Sequence, residues 1–474
     1  MVPQRCRAAR SAESKAVLRD GRQEGRSVSD TTGQSESQAS AVPARATQGA
    51  EAHGRDWSWV EATVWNERML AALENGVKGG KWFSLIDKVY RKQTLKVAWH
   101  KVEDNAGAAG VDGQSVEQFE ARAEVYLEEL ERALRTGEYR PQPIRRVEIP
   151  KGGGEMRPLG IPVVKDRIVQ TALKLVIEPI FEREFEESSY GFRPGRGCKD
   201  ALREVDELIK EGYPWVVDAD FDSYFDSIPY EPLMGKVSER ISDGAVLELI
   251  RAFLNQDIIA GMKRWTPVGG TPQGAVISPL LANIYLHPLD RHMREKGYRM
   301  VRYADDFVVL CRTAEQAQAA LNEVRGWVEQ NGLRLNADKT HVGDCRQAGQ
   351  GFEFLGYRFE AGQRWVRPKS LKALRERVRG KTIRTRGDSL AKIIEDLNPL
   401  LRGWFNYFKH AHSVAQLGID GLVRRRLRAI LRKQEKRPGM GRCLNDHLRW
   451  PNTYFATRGL FTITAARALA SQSR

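Results

Sequence analysis

The stretch that most constrains this chain is Val301-Arg302-Tyr303-Ala304-Asp305-Asp306-Phe307-Val308-Val309-Leu310. Strand formers flank two adjacent acids, a pattern that reads as strand, tight turn, strand, with the acids at the tip. Two carboxylates in an apolar segment repel each other and are costly to desolvate. A positive group must face them, and a divalent cation is the natural one. A second acidic strand lies upstream: Trp215-Val216-Val217-Asp218-Ala219-Asp220-Phe221-Asp222-Ser223-Tyr224-Phe225-Asp226. Two-metal phosphoryl transfer draws carboxylates from separate strands to one place. Asp220, Asp305 and Asp306 supply such a set, and the backbone carbonyl of Phe221 adds a further ligand. An all-oxygen donor set selects Mg²⁺, as two ions. Asp218 and Asp222 read as structural or surface acids, and Asp226 as a cap for the following helix.

Two other segments carry chemistry. Gly269-Gly270-Thr271-Pro272-Gln273-Gly274 leads into an apolar helix and lets backbone approach a nucleotide or template closely. Lys151-Gly152-Gly153-Gly154-Glu155-Met156-Arg157 is a basic hairpin in which Lys151 and Arg157 are placed to clamp a triphosphate. Taken alone, the first reads better as an ordinary loop before a buried helix, and spacing does not tell the second from a plain exposed hairpin.

Charge then separates the chain into two parts. Its net charge is +15, yet residues 361–474 hold 26 Lys+Arg against 7 Asp+Glu, so the excess lies wholly in the last quarter. A basic block interleaved with aromatics faces a polyanion, by default nucleic acid. Within it, Arg424, Arg425, Arg426 and Arg428 are the phosphate-contact candidates, joined by Arg402 and Lys409 beside the aromatic run Trp404-Phe405-Asn406-Tyr407-Phe408. The spacing predicts a helix from about Ser389 to Leu397, a new helix started by Pro399, and another from about Leu422 to Lys436. Residues 1–56 lack apolar periodicity and read as a disordered tail. Helical spacing dominates 60–135, and short strands alternate with helices over 139–310. The five cysteines form no CxxC pair, and no apolar run is long enough for a membrane span. The expectation is a cytoplasmic protein with no membrane partner.

Taken in order, these segments resemble the reverse transcriptase encoded by bacterial group II introns, over roughly residues 60–465. The resemblance implies an α+β right hand, with fingers, a palm built on an antiparallel sheet and an α-helical thumb. It assigns the metals to Asp220, Asp305 and Asp306. It sets Phe225 under the sugar of the incoming nucleotide, Gln273 and Gly274 against nucleotide and template, and Lys151 and Arg157 on the phosphates. Tyr190-Gly191-Phe192-Arg193-Pro194 and Phe354-Leu355-Gly356-Tyr357 look like family blocks. Leu397 to Phe408 looks like the maturase, or X, domain that doubles as thumb, and Trp450-Pro451-Asn452 with Gly459-Leu460-Phe461 like a short DNA-binding segment.

The implied organisation is a tail at 1–56, an N-terminal helical extension and start of fingers at 57–135, and fingers and palm at 136–362. Thumb/maturase follows at 363–440, then a C-terminal segment at 441–474. Many relatives end in an HNH endonuclease with paired cysteines. Here Cys443 stands alone, and no endonuclease is expected. The implied activity is RNA-directed DNA synthesis together with assistance to intron splicing and mobility. The implied partners are group II intron RNA, an RNA template with DNA primer, dNTPs and a DNA target. Two alternatives stay open: a splicing factor with a vestigial polymerase, and a reverse transcriptase recruited to a defence system. Asp222 departs from the basic residue that relatives often carry.

Overall fold

Amphipathic spacing builds the N-terminal helices Glu67–Asn75, Lys92–Asn105 and Ala123–Arg135, each burying one apolar stripe. The computed structural model describes residues 57–152, 155–412, 414 and 417–472. The tail expected over 1–56 lies outside the described residues. The helices pack against Val164–Glu182, which is buried on nearly every side and takes Asp166, Arg167, Gln170, Thr171 and Glu182 inside along with its apolar residues. Trp65 Nε1 donates to the Leu175 carbonyl at 3.0 Å and ties the extension to this central helix.

Strand β1 (Ile144–Gly152) pairs antiparallel with β2 (Glu155–Ile161) in a long basic hairpin, with Ile149 opposite Arg157. Strand β3 (Trp215–Ala219) belongs to another sheet. β4 (Ile258–Ala260) runs parallel to β1 and antiparallel to β5 (Lys263–Trp265), which completes a four-stranded sheet in the order β2-β1-β4-β5.

The second sheet has the order β6-β7-β3-β8, with β6 (Arg299–Tyr303), β7 (Asp306–Cys311) and β8 (His341–Asp344), and every pairing in it is antiparallel. Both of its faces are covered. Val217, Ala219, Met300, Phe307, Val309 and Cys311 enter the core that holds the Val164–Glu182 and Ser278–Glu295 helices. Val216, Val301, Val308 and Leu310 enter a second core with the C-terminal helices. This is why Phe307 to Leu310 is an unbroken apolar run instead of an alternating one.

A small sheet of β9 (Phe352–Phe354), β10 (Tyr357–Glu360) and β11 (Gln363–Val366) leads into the helices Pro368–Lys381, Leu390–Phe408 and Ile419–Gln434. The helix break expected at Pro399 does not occur, and Leu390–Phe408 runs through it. Proline removes one backbone hydrogen bond. The stripe Ile393, Ile394, Leu397, Leu401, Phe405 and Phe408 is buried along the whole length and holds the helix together. Among the described residues no helix is long and apolar enough to cross a membrane.

Candidate active site

The acids meet because of strand register. β3 pairs with β7 so that Ala219 lies opposite Phe307. One step further along both strands sets Asp220 opposite Asp306. β6 and β7 close on each other with Tyr303 opposite Asp306, leaving Ala304 and Asp305 as a two-residue turn. Ala304 takes the left-handed φ of +60° that such a turn demands.

The turn is held from two sides. Arg302 Nη1 donates to the Ala304 carbonyl at 2.7 Å and to Asn283 Oδ1 at 2.8 Å. The rest of its guanidinium grips Asp290 at 2.7 and 2.5 Å, and both side chains are fully buried. Gly191 presses on the turn so closely that a Cβ there would run into the Ala304 nitrogen. That is the physical reason for glycine in the Tyr190-Gly191-Phe192 segment. Asn283 Nδ2 donates to the Gly191 carbonyl at 2.8 Å and links the two supports.

Burial pushes the Asp306 carboxyl up to about 7, helped by the charges of Asp218, Asp305 and Asp220, while the Leu355 amide opposes the shift. Burial likewise raises Asp305, with Asp220 adding to it and Arg302 and Arg157 opposing it. Asp218 is pushed up to about 6 by burial, against the pull of His341. Asp218 therefore belongs to the cluster, and sequence reasoning set it aside. The available signal was its spacing: residues two apart share one face of an extended chain, so Asp218 and Asp220 had to stand together.

Lys339 is the other residue that was missed. Its Nζ lies 2.5 Å from Asp220 Oδ2, and its loop is anchored where the Asn336 N–H donates to the Asp220 carbonyl at 2.8 Å. A lysine in a polar loop gives no sequence signal for this. Among the described residues no three His, Cys, Asp or Glu side chains stand at ligand distance from one common point. The donors of the cluster are nevertheless all carboxylate oxygen, and their mutual repulsion is one cause of the raised values. That chemistry fits a hard divalent cation.

The segments named as a nucleotide wall also lie against one another. The Thr271 N–H donates to the Phe225 carbonyl at 2.6 Å and the Gly270 N–H to the Ile228 carbonyl at 2.8 Å. The Gly160 N–H donates to the Gln273 carbonyl at 2.6 Å, and a Cβ at Gly274 would collide with the Gly160 carbonyl. The loop is thus clamped between the Phe225 turn and β2, the strand that carries Arg157. From behind, Gln170 Oε1 accepts from the Val276 N–H at 2.8 Å. Arg157 is exposed, and its charge reaches Asp305. Lys151 lies on β1, but its side chain falls outside the described residues. Phe221 is buried between Tyr224 and Phe307 at ring distances of 5.1 and 5.3 Å. Asp222 is exposed, and Asp226 lies inside the short Tyr224–Ser227 helix, so it caps nothing.

The profile described as "Reverse transcriptase (RNA-dependent DNA polymerase)" matches residues 149–359, and that described as "Group II intron, maturase-specific domain" matches residues 371–450. Protein YkfC of Escherichia coli K12 is 38% identical over 296 residues, which cover 53% of this chain and 76% of YkfC. The chain belongs to the group II intron reverse transcriptase/maturase family. The group II intron-encoded protein LtrA of Lactococcus lactis subsp. cremoris is 37% identical over 204 residues, 42% of this chain and 33% of LtrA. The chain thus spans about a third of LtrA and about three quarters of YkfC. Among solved structures, the partial Cas6-RT-Cas1–Cas2 complex is similar over 54% of this chain and 43% of that one, at 24% identity and a TM-score of 0.35.

In the maturase-specific domain the basic candidates divide. Arg402 and Arg425 are exposed, and Arg424 and Lys409 are half-buried. Arg428 requires correction as a phosphate contact, and half-buried Arg426 has protein partners of its own. Arg426 bonds to Thr382 Oγ1 and, at 2.8 Å, to the Thr382 carbonyl, closing the end of the Pro368–Lys381 helix. Arg428 is buried, donating to the Trp450 carbonyl and to Asn452 Oδ1 at 2.9 Å each. Both guanidinium groups hold the protein together.

Proposed function

We propose that this chain is the RNA-directed DNA polymerase of a group II intron and that it also assists splicing and mobility of that intron. The observation that carries the reading is the register that sets Asp220 opposite Asp306 beside the Asp305 turn, in a chain that continues into a maturase-specific domain. Residues 57–135 serve as the N-terminal extension, 136–362 as fingers and palm, 363–440 as thumb, and 441–474 as a segment for the DNA target.

Extension is attack of a primer 3′-hydroxyl on the α-phosphate of a dNTP, a reaction governed by positioning and charge neutralisation. Asp220, Asp305 and Asp306 would hold two Mg²⁺ ions, which when bound neutralise phosphate charge and acidify the hydroxyl. Arg302 and Gly191 keep the turn that presents Asp305 and Asp306 in place. Phe225, Gln273 and Gly274 wall the nucleotide, and Arg157 with Lys151 takes its phosphates. Arg402, Lys409, Arg424 and Arg425 take backbone phosphates of the template–primer or intron RNA, with the salt dependence such contacts carry.

The test is Asp305→Asn in primer extension on an RNA template with Mg²⁺. Extension should fall by at least about 10²-fold, while splicing of the cognate intron by the same protein persists. Near-normal extension would sink the assignment. Loss of splicing together with extension would tie both activities to one site.

A further inference from the structure

Leu355 is held where a leucine rarely sits. It opens the two-residue turn between β9 and β10 at a φ of +48°, followed by Gly356 at +84°. The first position of such a turn ordinarily takes Gly, Asn or Asp. A larger residue persists there only when its surroundings over-determine it, and strain of this kind gathers at working sites.

The surroundings of Leu355 come from two directions. Its carbonyl accepts from the Tyr407 hydroxyl at 2.7 Å, at the last turn of the Leu390–Phe408 helix. On the same strand end the Glu353 N–H donates to Asp218 Oδ2 at 3.4 Å, and the Leu355 N–H favours the charged form of the Asp306 carboxyl. The Gly356 carbonyl accepts from the Arg367 N–H at 3.0 Å and from Ser370 Oγ at 3.3 Å, which fastens the turn to the next helix. Tyr407 is itself seated: its carbonyl accepts from the Tyr357 hydroxyl at 2.5 Å, and its ring lies 5.8 Å from that of Tyr357 and 4.8 Å from that of Phe408. One strained residue therefore stands between the end of a C-terminal helix and an acid of the palm.

We propose that Tyr407 is a positioning residue for Asp306. Its hydroxyl fixes Leu355, Leu355 fixes the carboxylate, and the seating of the thumb helix thereby sets the affinity of the acid cluster for a divalent cation. This rests on the reading of Asp306 as a metal ligand.

Mn²⁺ binding to the purified full chain, followed by electron paramagnetic resonance, reads the cluster without requiring catalysis. Tyr407→Phe keeps the ring and removes one oxygen. The Kd for Mn²⁺ should rise about tenfold, the usual cost of losing a residue that orients a metal ligand. The Mn²⁺ concentration for half-maximal extension should rise with it, and the KM for primer–template should not. Ser389→Ala removes the cap at the far end of the same helix, where Ser389 Oγ accepts from the Lys392 N–H at 3.3 Å. It should lower the melting temperature and leave Mn²⁺ affinity alone. Tyr357→Phe loosens the Tyr407 carbonyl, should weaken Mn²⁺ in the same direction by less, and decides the matter if Tyr407→Phe does not fold. Wild-type Mn²⁺ affinity in Tyr407→Phe, with binding lost in Asp306→Asn, overturns the relay alone. Wild-type affinity in Asp306→Asn as well overturns the metal reading beneath it.

Discussion

Arg302 offers a way to separate the stability of the palm from its chemistry. It is fully buried, bonds both oxygens of buried Asp290, and gives its remaining donors to Asn283 and the Ala304 carbonyl. Arg302→Met leaves the Asp290 carboxylate buried and unpaired, which costs about 3–5 kcal/mol. The Ala304 carbonyl loses its donor as well, a further 1–3 kcal/mol or about that. Against the roughly 5–15 kcal/mol that holds a domain folded, the single variant should be close to unfolding. The double variant Arg302→Met/Asp290→Leu removes the charge along with its partner, and such replacements are often neutral or stabilising. The two effects then come apart. Urea unfolding should show the double variant regaining most of the lost stability. Single-nucleotide extension should stay roughly 10-fold or more below wild type, because about 2 kcal/mol of turn support is still missing and each 1.4 kcal/mol is tenfold. Recovery of extension together with stability would refute the role given to Arg302, and so would a cost below about 1 kcal/mol in the single variant.

Two further outcomes follow from the same reasoning. Burial lowers His287 to about 4, and its Nδ1 has no hydrogen-bond partner among the described residues. The unfolded chain, with its histidine near 6.5, takes up the proton first. Stability is therefore intact above about 6.5 and is lost as pH falls toward 4, by about 2 kcal/mol between pH 7 and 5. His287→Gln should flatten that slope in urea midpoints, and an unchanged slope would count against it. Asp243 is buried and accepts from the Leu85, Ile86 and Val246 N–H groups at 2.7, 2.9 and 3.1 Å, capping two helices at once. Asp243→Ala should cost about 2–4 kcal/mol and speed hydrogen exchange at Leu85 and Ile86 before it affects the palm; protection left as in wild type would argue otherwise.

The acid hairpin and the Asp220 strand were legible because their rule is local: strand formers around acids, closed by a turn. The clustering of Phe225, Gln273, Gly274 and Arg157 followed from the family resemblance, and the structure supplies the backbone clamp that brings them together. Other features depend on partners far away in sequence. Counting arginines cannot tell Arg425, which is exposed, from Arg428, which lies between Leu427 and Leu431 on the buried stripe and finds acceptors at Trp450 and Asn452. Pro399 broke the helical pattern on paper, and packing of the flanking stripe overrode it. Lys339 became visible only once its loop closed on the end of β3.

The two-sided burial of the palm sheet bears directly on the acids. Along β7 the odd residues Phe307, Val309 and Cys311 face the core with the central helices, and the even residues Val308 and Leu310 face the core shared with the C-terminal helices. Asp306 and Asp218 are even members of β7 and β3, so they fall on the second face. Val216 and Val308 share a core there with Phe354, Phe405 and Phe408. Burial is the largest cause of the raised Asp306 carboxyl, and the even face on which it falls is the one whose core the C-terminal helices share. A boundary drawn at 362/363 is therefore not a boundary in packing. The helices beyond it share the core on that face and reach the Asp306 carboxylate through Leu355.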